Sequence, residues 1–244
     1  MPIPRLHVPG PLADGQELDL PAAAARHVVQ VLRLRPPAPL IVFDGNGAEH
    51  AATLLPAGDS SRVRVGARTA AERESPLALT LLQGISRGER MDYTIQKAVE
   101  LGVQRIVPVT TRRSVVRLSA ERAAKRLAHW QGVVVSACEQ CGRTRLPQLA
   151  PPLPLAAALR AEASLHALRL VLAPDAAATL HTFADAPAAA ALLVGPEGGL
   201  DAAELTAAAA AGWHSIRLGP RVLRTETAGV VALAVLQARW GDLA

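Results

Sequence analysis

From Pro76 onward the chain alternates short apolar runs with helix-forming stretches, and that alternation excludes most folds. The runs LALTLLQGI (77–85), RIVPVTT (105–111), LRLVLA (168–173), AALLV (190–194) and SIRLG (215–219) have the length of strands. Strands separated by helices predict a parallel sheet in an α/β domain. Between the first two, Met91, Ile95 and Val99 recur at i, i+4 and i+8, and Gly102 stops the helix. Ser119 is placed to cap a longer helix through Leu127, Trp130, Val134 and Cys138, ending at Gly142. Asp201 and Glu204 have the spacing of a capping box, which starts a helix that Gly212 ends. The last helix, AGVVALAVLQARW (228–240), is apolar nearly all round, including Val230, Val231, Leu233, Ala234 and Leu236. Such a helix is buried, in its own core or in a partner's.

The first seventy residues read differently, as short β segments separated by turns. In LIVFDGNGAEHAATLL (40–55) two apolar runs flank Asp44-Gly45-Asn46-Gly47, and D-G and N-G dipeptides supply the positive φ that tight hairpins need. A small barrel is the natural closure. RHVVQVLRLR (26–35) predicts a helix with Val28, Val31 and Leu32 on one face and Arg26, Arg33 and Arg35 close by. The polar stretch ARTAAERESP (67–76) ends this region, so residues 1–72 are expected to form a β-barrel domain and 73–244 the α/β domain.

The chain has 244 residues, half of them hydrophobic, enough for real cores and too many for disorder. No apolar run is long enough to span a bilayer and the N-terminus lacks the regions of a signal peptide, so a cytoplasmic protein is expected. The formal charge is +5, and with Lys97 and Lys125 the only lysines, 26 − 2 = 24 of the basic residues are arginine. Arginine forks pair bidentately with phosphate, which points to a polyanion. Six aromatic residues are too few for a base-stacking platform, so an RNA would be held by charge and shape. Cys138 and Cys141 form a C-x-x-C without further ligands at zinc spacing and read as two small helix residues; no His/Asp/Glu cluster implies a metal.

In open parallel sheets ligands collect beyond the carboxyl ends of the strands. Two loops there carry arginines, SRGER (86–90) and TTRRSVVR (110–117). Two others are GPEGGL, from Gly195, and LGPRVLRTETA (218–228), neither of them a dinucleotide fingerprint nor a Walker A loop. Glycine lets a ligand approach the backbone closely, so two glycine-proline loops can grip a flat, polar-edged group such as adenine.

GPEGGL followed by LGPRVLRTETA resembles the signature of the SPOUT-type 16S ribosomal RNA uracil-N3 methyltransferases. SRGERMDYTIQKAVELGV, RRSVV, CEQCGR, H…VLRLR and FDGNG are similar to that family too, in the same order, with a departure at Arg112, where the family often has an acid. The resemblance implies an N-terminal PUA-like β-barrel, a trefoil-knotted α/β domain, S-adenosylmethionine as methyl donor, 16S rRNA of the small ribosomal subunit as substrate, and a homodimer. It implies a cofactor site at Leu172, Ala173, Gly195, Pro196, Glu197, Gly198, Gly199, Leu218, Gly219, Arg221, Val222, Leu223 and Thr227. A sulfonium needs local negative potential, for which Glu197 and Glu226 are the nearby acids. Methylating N3 requires loss of its proton, and an arginine on the ring oxygens would favour the anion. Arg113, matched by motif, and Arg221 or Arg224 are the candidates; Glu197 and release to water both stay open as routes for the proton. Arg26, Arg33, Arg35, Arg87, Arg90, Arg113 and Arg143 are expected to contact RNA. Ribose 2′-O methylation and a non-catalytic rRNA-binding role are the competing readings.

Overall fold

The structure, a computed structural model, describes residues 3–56, 61–70, 72–114, 116 and 119–243. Arg117, in the second arginine loop, lies outside the described residues. The chain divides into two compact units, Met1–Glu74 with Val135–Leu146, and Ser75–Val134 with Pro147–Ala244.

The first unit is a five-stranded sheet. Strand β1 (Arg5–His7) runs parallel to β3 (Ala38–Phe43), which forms a hairpin with β4 (Glu49–Leu55), followed by β5 (Arg62–Thr69) and, at the edge, β2 (Glu17–Asp19). The expected hairpin turn is present, and Asp44 Oδ1 accepts from the amides of Asn46 (2.7 Å) and Ala48 (3.0 Å). Alternate residues point inward, so Leu40, Val42, Ala52, Leu54, Val63 and Val65 form one core with Leu6 and Val28.

The expected helix over 26–35 differs in detail. A short α1 (Ala22–Arg26) passes into a π-turn at His27–Val31, where the Leu32 amide donates to His27 O (2.9 Å). The wider winding separates positions that an α-helix would superpose. Val28 is fully buried while Val31 is 65% exposed, and Leu32 is only half-buried.

Helix α3 (Ala120–Cys141) contributes its last turns to this unit. Glu139 Oε1 accepts from the His7 amide (3.0 Å), and Arg5 donates to the carbonyls of Gly142 (2.9 Å) and Arg143 (3.1 Å) while pairing with Glu49. Arg143 is buried and ion-paired with Glu74 (2.5 Å). The RNA contact expected of Arg143 is therefore corrected: its guanidinium fills a structural role inside the first unit.

The second unit is built on a parallel sheet in the order β12-β10-β11-β6-β7-β8, with β9 also on β7. The strands are β6 (Ala78–Gly84), β7 (Arg105–Thr110), β8 (Gln148–Leu149), β9 (Leu153–Pro154), β10 (Leu168–Leu172), β11 (Ala189–Val194) and β12 (His214–Ile216). Continuous apolar runs such as AALLV suit central strands buried on both faces. The last strand is shorter than expected: Arg217 to Gly219 belong to a loop. Helices α4 (Leu155–Glu162), α5 (Ala202–Ala210) and α6 (Thr225–Trp240) pack on the sheet, and α2 (Glu89–Glu100) packs on α6. Helix α4 was not expected, because its eight residues are too few for periodicity to stand out. The expected capping box of α5 is present in full, Asp201 Oδ1 accepting from the Glu204 amide and Glu204 Oε2 from the Asp201 amide. On α6, Ala232, Leu233 and Leu236 are buried in this unit's own core, whereas Val231 and Val235 remain exposed. Among the described residues no helix is long and apolar enough to cross a membrane, and no group of three or more His, Cys, Asp or Glu could hold a metal ion.

Candidate active site

Strands β10, β11 and β12 end side by side, and the loops that follow them enclose a cavity of about 680 Å³. Leu172, Val194, Ile216, Leu218 and Leu223 give it apolar walls. The β11 loop turns sharply at Gly195–Gly199, where the Gly199 amide donates to Pro196 O (2.8 Å) and Gly199 sits at φ +67°. A side chain at that backbone angle would be strained.

Two buried groups behind this loop hold it. Thr225, at the start of α6, donates from Oγ1 to Gly195 O (2.5 Å) and accepts from Gln83 Nε2 (3.0 Å). Gln83, fully buried in β6, also donates to Gly84 O (3.1 Å). Gly84 permits the approach: a Cβ there would lie 2.3 Å from Pro196 N and 2.7 Å from Gly195 C. Sequence reasoning missed Gln83, Gly84 and Thr225. A glutamine and a glycine ending a largely apolar strand are the signal that could have found them.

The only charge on the β11 loop is tied to an arginine loop. Glu197 Oε1 accepts from the Arg87 amide (2.9 Å) and from Arg90 Nη1 (3.1 Å), and Arg90 Nε also faces Glu226 (3.7 Å). Burial alone would push the Glu197 carboxyl up, but the Arg87 amide, its own amide and Arg90 together hold it below its ordinary value. Glu226 Oε2 is buried in the cavity wall and has no partner among the described residues. On the other side, the Arg112 amide donates to Glu204 Oε1 (2.8 Å) and Arg113 Nη1 donates to Gly198 O (3.2 Å).

The residues singled out in the sequence fall as follows. Leu172, Ala173, Gly195, Pro196, Glu197, Gly199, Leu218, Gly219, Arg221, Val222 and Leu223 line the cavity, together with Arg90, Arg113 and Arg224. Gly198 and Thr227 do not; Gly198 backs onto Arg113, and Thr227 is exposed in the first turn of α6. Arg87 is exposed at the rim loop, and Arg26, Arg33 and Arg35 are exposed in the first unit. Asp175 and Arg217 line the cavity without having been anticipated.

Residues 73–237 match the family model described as an RNA methyltransferase domain. The ribosomal RNA small subunit methyltransferase E of Buchnera aphidicola from Schizaphis graminum is 31% identical over 99% of this chain and 98% of its own length. This chain belongs to that family. The solved member from Neisseria gonorrhoeae, bound to S-adenosyl methionine, is 40% identical and superposes with a TM-score of 0.90 over 99% of this chain and 100% of its own. A methyltransferase of Legionella pneumophila in complex with the cofactor SAM is 39% identical, with a TM-score of 0.96 over the whole of both chains. The fold is thus that of the family: a SPOUT-type, trefoil-knotted α/β methyltransferase domain with an N-terminal PUA-like β-barrel.

Proposed function

We propose that this protein transfers a methyl group from S-adenosylmethionine to N3 of a uridine in the 16S rRNA of the small ribosomal subunit, in the cytoplasm. The observation that carries the reading is the end-to-end likeness to family members whose structures hold that cofactor, joined to a cavity of fitting chemistry at the sheet's carboxyl edge. A volume of about 680 Å³ suits a ligand of that size, and its apolar walls suit an adenine. Close-approaching glycine-proline loops offer backbone groups for its polar edges, and the unpartnered Glu226 oxygen supplies local negative potential for a cation. The cofactor supplies an electrophilic methyl group on a sulfonium.

The chain's own residues do the rest. Arg221 and Arg224, exposed on the cavity wall and without a carboxylate partner among the described residues, supply guanidinium donors for the uracil oxygens, with Arg113 beside them. Such donors favour the N3 anion over the neutral ring. Glu197 is a poor proton acceptor, because its carboxylate is committed to Arg87 and Arg90 and held below its ordinary pKa. The N3 proton therefore leaves to water. Arg26, Arg33, Arg35 and Arg87 bind the RNA backbone, while Arg90 chiefly balances Glu197 and Glu226. Val231 and Val235, one turn apart on α6, are the apolar surface for a homodimer. The test is methyl transfer by the purified protein to 16S rRNA, followed by mass analysis of nucleosides. A 3-methyluridine product supports the reading; 2′-O-methylation or no transfer refutes it.

A further inference from the structure

The turn carrying Arg112 and Arg113 is held from outside itself as well as from within. Internally it closes through the Thr111 amide on Ser114 Oγ (3.0 Å) and the Ser114 amide on Thr111 O (3.1 Å). Externally it rests on the segment that follows β11. Arg113 packs so closely on Gly198 that a Cβ there would meet Arg113 Cβ at 2.9 Å and Arg113 O at 3.0 Å. Glu204 makes the strongest tie. It is 9% exposed and uses its two oxygens differently: Oε2 closes the capping box on the Asp201 amide (2.9 Å), and Oε1 takes the Arg112 amide (2.8 Å). A shielded carboxylate accepting two amides holds both firmly.

We infer that Glu204 is a positioning residue for RNA recognition, fixing the Arg112–Arg113 turn beside the cofactor cavity through its second carboxylate oxygen. The capping role alone accounts for one oxygen; the other serves a turn 92 residues away in sequence. The inference deepens the function proposed above and rests on its reading of Arg113 as a guanidinium donor beside the uracil.

The test uses the full chain with Glu204→Gln and Glu204→Ala, measuring dissociation constants for a naked 16S rRNA transcript and, separately, for S-adenosylmethionine. Glutamine is itself a good capping-box residue. Its single oxygen can keep the Asp201 amide while its NH₂ group faces the Arg112 amide, so the helix start is preserved and the turn is released. Alanine removes both ties. RNA affinity should fall about tenfold in Glu204→Ala, the scale of one hydrogen bond to a charged group, and by a smaller factor in Glu204→Gln. Cofactor affinity, which also reports folding, should stay within about twofold in both. RNA affinity unchanged in both variants overturns the inference, as does a parallel loss of cofactor affinity, which would mark Glu204 as merely structural. A wild type that binds the transcript without transferring methyl refutes the proposed function alone, because the comparison here is made on binding.

Discussion

Gly84→Ala places a single methyl group where the Gly195–Gly199 loop crosses the end of β6. Its Cβ would stand 2.3 Å from Pro196 N, 2.6 Å from Pro196 Cδ and 2.7 Å from Gly195 C. Ordinary contact begins near 3.4 Å, so strand and loop must separate by about 1 Å. The obstructing atoms are mostly backbone and cannot rotate away. Overpacking of this kind costs about 1–3 kcal/mol, and about 2 kcal/mol corresponds to a fall of roughly 4–8 °C in Tm for a unit of this size. The larger effect falls on the ligand. Thr225, itself held by Gln83, donates to Gly195 O from behind, so the loop moves against those hydrogen bonds and into the cavity. A misplacement of about 1 Å in a binding loop costs up to about 100-fold. Calorimetric titration with S-adenosylmethionine should therefore show at least about tenfold weaker binding in a variant that still unfolds cooperatively. Unchanged affinity and unchanged Tm would refute both the close approach and the assignment of this loop to the cofactor.

Gly132→Ala, on an exposed position of α3 with nothing within 4 Å of the new Cβ, should stabilise by about 0.5–1 kcal/mol, read as a higher Tm. Val235→Glu should turn a sedimenting dimer into monomers without unfolding it, because Val235 is exposed; Leu236, 1% exposed, is the wrong probe, and Leu236→Arg should unfold the second unit instead. Burial pushes the Cys138 thiol up to about 12, so alkylation of the native protein at about pH 8 should modify at most Cys141, and both cysteines only in denaturant. Glu197 is held below its ordinary pKa, so its stabilising contribution is complete above the usual carboxylate range and is lost as pH falls through its lowered folded value. Glu197→Gln should accordingly lose stability at neutral pH and show a flatter acid limb in Tm against pH.

Much of the second unit was legible because its strands and helices obey simple periods. Met91, Ile95 and Val99 are all fully buried where their spacing puts them, and Asp201 and Glu204 cap α5 as their spacing requires. What escaped depends on pairs distant in sequence. Nothing local says that Arg5 donates to Gly142 O, or that Arg143 meets Glu74, so the attachment of Val135–Leu146 to the first unit has no sequence signal. The π-turn at His27–Val31 defeated the pattern for a related reason, because helical periodicity assumes the winding it sets out to infer. At the cavity, the glycine-proline loops announced themselves, while their supports did not. Gln83, Gly84 and Thr225 act through contacts that only the fold creates.

Gln83 exposes a conflict between durability and use. Strand β6 is a largely apolar core strand, yet at one fully buried position it carries an amide whose oxygen has no partner among the described residues. Burying a polar atom without a partner is unfavourable, so a leucine there would suit the sheet better. Laboratory selection for heat resistance alone should therefore drift toward hydrocarbon at position 83, and the survivors should have a slack Gly195–Gly199 loop. Selection that also demands methyl transfer should retain the glutamine. The position thus separates the two pressures.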